Sequence, residues 1–316
     1  MKPKISILTT LYHSSGYIDE FYNRSIAAVK NTGVDYEFVF INDGSPDDSL
    51  QKVLRLSQTD PAIRIVDLSR NFGHHKAIMT GLRYCEGEYI FLIDCDLEED
   101  PAIFGEFWKK IQEDNSLDVV FGVQIQRKGG WFERLSGWLF YRIFSKLTSL
   151  EYPANSLTAR IMTNRYVKAV IRYQETELEI WGIFALSGFK QLAVAVHKSY
   201  KGSTTYTFSR KLKVALDAIT SLSNRPLYLI FVIGFLCFFL ACINVAIIIY
   251  KKLFLAVDIE GWASTVASIW LVGGMILLFL GVFGIYLSKM FNEIKRRPLT
   301  IVKEIYGKHV AEQRDQ

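Results

Sequence analysis

Asp94 and Asp96 stand either side of Cys95 at the end of an apolar run, and Glu98 follows two positions later. Three carboxylates in that spacing are hard oxygen donors of the kind that suits Mg2+ or Mn2+, ions that leave positions open for the oxygens of a diphosphate. The stretch DLEEDP reads equally as an acidic strand-to-helix turn, and spacing alone leaves both readings open. A second polar cluster, Asn42-Asp43-Gly44-Ser45, contains an Asp-Gly turn signal and residues able to cap a helix. Asp43 at a strand end is just as well placed to accept a hydrogen bond from a nucleobase N–H or a ribose hydroxyl. His74 and His75 are neighbours, so on a helix they do not share a face; they are assigned to the start of a helix lining a crevice and not to a metal pair. No Gly-x-Gly-x-x-Gly follows the first apolar run and no P-loop motif occurs, so any phosphate is held by other means.

The hydrophobic pattern supplies elements that bring these clusters together. Residues 4–12, 36–41, 64–69 and 88–94 read as strands, and residues 17–30, 49–58 and 74–86 between them as helices. Such alternation predicts an α/β fold with a mostly parallel sheet covered on both faces. Ligands of open sheets bind beyond the carboxyl ends of the strands. Thr9, Thr10 and Tyr12, then Asn42 to Ser45, then Ser69, Arg70 and Asn71, then Asp94 to Asp96 all fall at those ends, and are expected to converge on one crevice.

Half of the 316 residues are hydrophobic, and 37 Lys and Arg against 32 Asp and Glu leave a net charge of +5. That balance excludes a disordered chain and gives no reason to expect nucleic acid as a partner. The apolar excess sits in two uncharged runs, residues 226–250 and 262–288, each long enough to cross a hydrocarbon layer of about 30 Å as a helix. Tyr228, Tyr250, Trp262 and Tyr286 lie near their ends, where interfacial aromatics collect. Arg210, Lys211, Lys213 and Arg225 precede the first run, and Lys289, Lys295, Arg296, Arg297 and Lys303 follow the second. Together they outweigh Lys251 and Lys252 between the runs. The positive-inside rule then predicts a multi-pass protein of the inner (cytoplasmic) membrane with both termini in the cytoplasm. Four cysteines without paired spacing, and an N-terminus without a signal-peptide core, agree with that side. The expected organisation is a globular domain over residues 1–204 with an interfacial helix near 131–147, then a juxtamembrane amphipathic helix over 205–225. Spans at 226–250 and 262–288 follow, joined by an external loop at 251–261, and a basic tail at 289–316 ends the chain.

The stretches ISILTTLY, YEFVFINDGSPDDS, LSRNFGHHKAIMTGL and FLIDCDLEEDP, in this order and followed by two spans, resemble the family 2 glycosyltransferases of the GT-A fold. More narrowly, the chain is similar to the bacterial polyprenyl-phosphate glycosyltransferases related to dolichyl-phosphate mannose synthase, and the resemblance covers nearly all of it. It implies that Asp94 and Asp96 hold a divalent metal, Mg2+ or Mn2+, on the donor diphosphate, joined as metal ligand by Glu98, which stands where the family commonly has a Gln that also reaches the metal. Thr10, Tyr12, Asp43, Arg70 and Asp94 are implied as nucleotide-sugar contacts, although Thr10-Leu11-Tyr12-His13-Ser14 stands where the family usually reads Pro-x-Tyr-Asn-Glu. Arg127, Arg134, Arg160 and Lys198 are implied as ligands of the acceptor phosphate, with Arg127 counted beside Asp94 and Asp96 as catalytic; Gln124 replaces a usual Arg, and Arg165 closes the block that contains Arg160. The Gln-x-x-Arg-Trp motif of processive synthases is absent from the sequence.

The implied reaction is an inverting transfer of one sugar from a nucleotide sugar, a UDP-hexose such as UDP-glucose, to undecaprenyl or another polyprenyl phosphate. Implied partners are these two substrates, membrane lipids, further copies of the chain, a separate flippase and a downstream transferase. Two other readings stay open: transfer to a hydroxyl of a membrane lipid or glycan, with Glu177 or Glu179 as base, and a decayed scaffold that only binds the nucleotide sugar.

Overall fold

The computed structural model describes residues 4–124, 155–176, 178–196, 219–220, 223–255 and 261–307. Arg127, Arg134, Glu177, Lys198, the expected interfacial helix near 131–147 and nearly all of the expected juxtamembrane helix lie outside the described residues. The chain forms two compact units, one holding the N-terminal part together with residues from Arg297 onward, the other holding two long helices.

In the first unit the elements run β1 (Ile5–Leu11), α1 (Ile18–Lys30), β2 (Tyr36–Asn42), α2 (Ser49–Thr59), β3 (Ile63–Leu68), α3 (His74–Tyr84), β4 (Tyr89–Leu92), α4 (Ile103–Glu113) and β5 (Val119–Gln124). They continue with β6 (Ser156–Thr163), α5 (Asn164–Val170), α6 (Ile180–Leu186), β7 (Gln191–Val196) and, after the long helices, β8 (Val302–Tyr306). The strands form one sheet in the order β7-β5-β6-β4-β1-β2-β3-β8. β1 pairs in parallel with β2 and β4, β2 with β3, and β5 with β7, whereas β6 runs against β4 and β5, and β8 against β3. This is a mixed α/β architecture built on a largely parallel sheet.

Burial from both sides explains why β1 to β4 read as near-continuous apolar runs. Pleating shares their residues between two cores. Ile5, Ile7, Phe38, Phe40 and Phe91 pack with Phe21 of α1, Val53 of α2, and Phe104, Phe107 and Ile111 of α4, the last three at helical spacing. Leu8, Val39, Ile41, Ile90 and Leu92 pack on the other face with Met79 of α3, Tyr166 of α5 and Phe184 of α6.

The reading of residues 289–316 as a basic tail is corrected by β8. Ser69 N donates to Ile301 O at 2.9 Å, the Thr80 and Thr300 hydroxyls lie 2.7 Å apart, and Leu299 is buried in the core. Lys303 Nζ lies 3.6 Å from Asp67 Oδ2, and Asp67 Oδ1 also accepts from Asn42 Nδ2 at 2.7 Å. Lysine beside a buried carboxylate is a structural cation here, and short alternation in a basic segment had hidden an edge strand.

The second unit contains α7 (Arg225–Leu255) and α8 (Trp262–Ile294). Within them Arg225–Ile247 and Ser268–Ile294 are long and apolar enough to cross a membrane, and no part of their apolar windows is buried. Phe231, Trp270 and Leu277 are exposed on these helices. The second helix continues past Ser288 to Ile294, because no residue that breaks a helix occurs before Pro298.

Candidate active site

The carboxyl ends of β1 and β2 carry two loops that are laced together. His13 N donates to Ser45 Oγ at 2.8 Å, Ser14 N to Ser49 Oγ at 3.2 Å and Ser15 N to Asp47 Oδ2 at 3.0 Å. Asp47 also accepts from Ser45 Oγ at 2.6 Å and Ser49 N at 3.1 Å. Burial works to raise the Asp47 pKa, but the bonds from Ser45, Ser49 and Ser15 outweigh it and hold the carboxyl well below its usual range. Tyr12 is left on the rim with 48% of its surface exposed and its ring edge-on to His13.

Asp43 is buried, and its two oxygens accept from Phe72 N at 2.7 Å and Gly73 N at 3.0 Å, the amides that lead into α3. Burial raises its pKa against the pull of those two bonds. Gly44 has φ +60, and a Cβ there would sit 2.5 Å from Asn71 N, so only glycine lets this turn pass the backbone of the next loop. Arg70, exposed at the rim, donates to Asn71 O at 2.9 Å and stacks over Phe72, 4.1 Å from the ring centroid.

Asp94 lies just beyond β4. Thr158 Oγ1 donates to its Oδ2 at 2.7 Å, and His74 Nε2 is 3.4 Å from its Oδ1. The other nitrogen of His74 lies 3.1 Å from Thr10 Oγ1, so one imidazole joins the first loop to the aspartate. Asp96 Oδ1 accepts from Glu98 N at 2.9 Å, across a turn in which Leu97 takes φ 60. Glu99 is buried and clamps the start of β6, accepting from Thr158 N at 3.1 Å and Ala159 N at 2.7 Å. Cys95 is buried, and burial with Asp96 and Asp94 beside it pushes its thiol pKa up, so it stays a protonated core residue.

Next to His74, the start of α3 and the residues leading into α6 present a third group. His75 Nδ1 lies 3.3 Å from Leu178 O and 3.9 Å from Glu179 Oε2, and the His75 ring meets Trp181 edge-on at 6.0 Å. Burial pushes Glu179 up to about 6 and His75 below its usual value.

The profile of glycosyl transferase family 2 matches residues 6–171, a span that contains every one of these loops up to β6 and α5. The chain belongs to glycosyl transferase family 2. It is 44% identical over 304 residues to a protein of Mycobacterium tuberculosis described as putative glycosyltransferases, covering 96% of this chain and 89% of that one. It is 28% identical over 305 residues to a prophage bactoprenol glucosyl transferase homolog of Escherichia coli K12, covering 96% and 99%. Among solved structures it is similar to glucosyl-3-phosphoglycerate synthase from Mycobacterium tuberculosis, with 15% identity, a TM-score of 0.48, and coverage of 70% of this chain and 79% of that one.

The protein is therefore a glycosyltransferase, and the sequence-expected residues of this family 2 site fall into three groups. Thr10, Asp43, Arg70, Asp94 and Asp96 come to the loops at the carboxyl ends of β1 to β4, with Tyr12 on the rim. Arg160 does not stand open to an acceptor: it is 1% exposed, its guanidinium lies 4.1 Å from the Phe184 ring centroid and 4.8 Å from that of Trp181, and it donates to Thr158 O and Leu157 O. The physical reason is strand alternation, which turns Arg160 with Met162 into the second core, where ring faces and carbonyls hold the charge. Arg165 is bound through two nitrogens to Asp118 at 2.5 and 2.9 Å, at the far end of β6. Sequence reasoning missed Thr158, Glu99 and the bridging role of His74, because each acts across 59 residues or more.

Among the described residues no three or more His, Cys, Asp and Glu side chains are gathered into a metal cage. The carboxylate oxygens of Asp94, Asp96 and Glu98 are nonetheless hard donors of the kind a divalent, oxygen-seeking ion takes.

Proposed function

We propose that the protein transfers one hexose from a nucleotide sugar, in the first instance UDP-glucose, to a polyprenyl phosphate such as undecaprenyl phosphate, inverting the anomeric carbon at the cytoplasmic face of the membrane. The observation that carries the reading is the return of the chain to the sheet. β8, beyond the second apolar helix, pairs with β3, the strand that runs into Ser69 and Arg70. Helices that enter a membrane between two parts of one folded unit must bring the chain back to the side it left. An enzyme anchored in that way suits an acceptor that is itself a lipid, and the likeness to the bactoprenol glucosyl transferase homolog supports the same class.

In this reading Asp94 and Asp96 hold Mg2+ or Mn2+, which when bound supplies positive charge against that gathering on the leaving diphosphate. Thr158 and His74 fix the orientation of the Asp94 carboxylate. Tyr12 offers a ring to the base, Thr10, Asp43 and Arg70 border the nucleotide, and Asp43 also holds the loop that carries Arg70. A phosphate oxygen of the acceptor forms the new bond to the anomeric carbon as the bond to the diphosphate breaks. An ionised phosphate brings its own nucleophile and needs little help from a general base. Arg127, Arg134 and Lys198 are assigned to the acceptor phosphate, and Arg160 is withdrawn from that role. A separate flippase and a downstream transferase would then use the product.

The test supplies purified protein with undecaprenyl phosphate, Mg2+ or Mn2+ and radiolabelled UDP- and GDP-sugars. Label moves into the lipid from one donor and Asp96→Ala abolishes it. Donor binding without lipid labelling would contradict the acceptor, and absence of donor binding would leave only the scaffold.

A further inference from the structure

We propose that Glu179 and His75, backed by Trp181, form the subsite that reads the hydroxyls of the sugar carried by the nucleotide donor. The inference rests on the glycosyl-transfer reading above and names part of its substrate recognition.

The position comes from topology. β6 runs against β4, so the segment after α5 must climb back to the carboxyl edge of the sheet before α6 descends toward β7, which lies parallel to β5. The first residues of α3 and the residue that precedes α6 therefore meet at the edge where Asp94 lies. His74 touches Asp94 at 3.4 Å, and its neighbour His75 reaches Glu179 at 3.9 Å. The two pairs start from adjacent residues of α3, as the diphosphate and the sugar are adjacent along the donor.

The chemistry narrows the ligand. Glu179 and His75 keep 24% and 30% of their side-chain surface exposed, so both can reach a ligand while held by their neighbours. A carboxylate repels a diphosphate and an acceptor phosphate alike, and the mechanism above makes no use of it. It does accept two O–H bonds at once, which suits adjacent hydroxyls of a neutral pyranose, and the imidazole adds one donor or acceptor. Trp181, half-buried beside His75, brings an aromatic ring of the kind that packs on sugar C–H groups, and the Arg160 guanidinium lies 4.8 Å from that ring. Burial lifts Glu179 to about 6, so above that pH the ionised, accepting form prevails.

The experiment is calorimetric binding to the full chain in Mn2+, comparing UDP-glucose with UDP-galactose and GDP-mannose with GDP-glucose, pairs that differ at one hydroxyl. UDP and GDP alone serve as references. The wild type distinguishes the members of a pair, and Glu179→Gln lowers affinity for the preferred member about tenfold while the other member and the bare nucleotide shift less than twofold. His75→Ala reduces the same discrimination. Equal loss for sugar and bare nucleotide would mark a structural role and overturn the proposal, as would a wild type that does not distinguish the pairs. Retained discrimination with lost lipid labelling would assign Glu179 to proton removal, and it too overturns the proposal. Discrimination lost in Glu179→Gln, with no labelling of undecaprenyl phosphate by the wild type, would uphold the subsite and sink the acceptor reading.

Discussion

Thr158 donates its hydroxyl hydrogen to Asp94 across 2.7 Å, joining the start of β6 to the loop just beyond β4. With Thr158 on Oδ2 and His74 Nε2 3.4 Å from Oδ1, the carboxylate is held in one orientation, which is what a ligand of a divalent ion requires. Thr158→Val keeps the shape and removes the donor. We expect the Mn2+ concentration for half-maximal UDP binding to rise about tenfold, with the fold intact by circular dichroism. An unchanged Mn2+ dependence would separate Asp94 from the metal.

Glu99 secures the same corner from below through Thr158 N and Ala159 N. Glu99→Ala leaves two enclosed amide donors without acceptors, at a cost of about 3 kcal/mol. Thermal unfolding should report a lower Tm, and Glu99→Gln, which keeps one acceptor oxygen, should fall between. A variant as stable as the parent would show that water replaces the carboxylate.

Gly44→Ala should damage the donor loop more than its small size suggests, since φ is +60 and the new Cβ would press on Asn71 N at 2.5 Å. Strain of at least about 1 kcal/mol, released by shifting the loop, should weaken UDP binding severalfold. Equal UDP affinity in the variant would mean that this turn does not touch the nucleotide.

Glu179 gives a pH signature. Its pKa rises from 4.5 to about 6 on folding, mainly through burial, so the folded chain keeps a proton that the unfolded chain has released. The associated stability is fully present below the lower value and is lost as pH rises through the higher one. His75, whose pKa is lowered, works in the opposite sense and is common to both proteins. Between pH 4 and 7 the wild type should therefore lose roughly 2 kcal/mol relative to Glu179→Gln, read from paired unfolding curves. Parallel curves would contradict the burial.

The pairing of β8 with β3 predicts membrane sidedness. Single cysteines at Asp19 and Lys303, in a background without the native four, should be labelled by an impermeant maleimide from the same side of sealed vesicles. Labelling from opposite sides would break the account of the helix pair as an anchor.

What the sequence disclosed followed local rules. β1 to β4 and α1 to α3 were legible because strands buried on both faces are apolar throughout, while helices repeat at three and four residues. Asp94, Asp96 and Asp43 were legible because polar residues at the carboxyl ends of such strands share one edge. The burial of Arg160 is not legible in the sequence, because a motif names neighbours in the chain and not the face of the strand they occupy. β8 was missed because its residues alternate only weakly, and its partner β3 lies more than 230 positions away. His75 with Glu179, 3.9 Å apart, joins two helices whose meeting depends on β6 running backwards, which no local pattern announces.

The central claim is that the acceptor is a lipid phosphate, and the most direct measurement offers the full chain undecaprenyl phosphate and undecaprenol side by side with the donor it binds. Mass spectrometry should find one hexose added to the phosphate and none to the alcohol, with the product anomer opposite to the donor. Hexose on the alcohol, or on neither lipid while the donor is bound, would contradict the account.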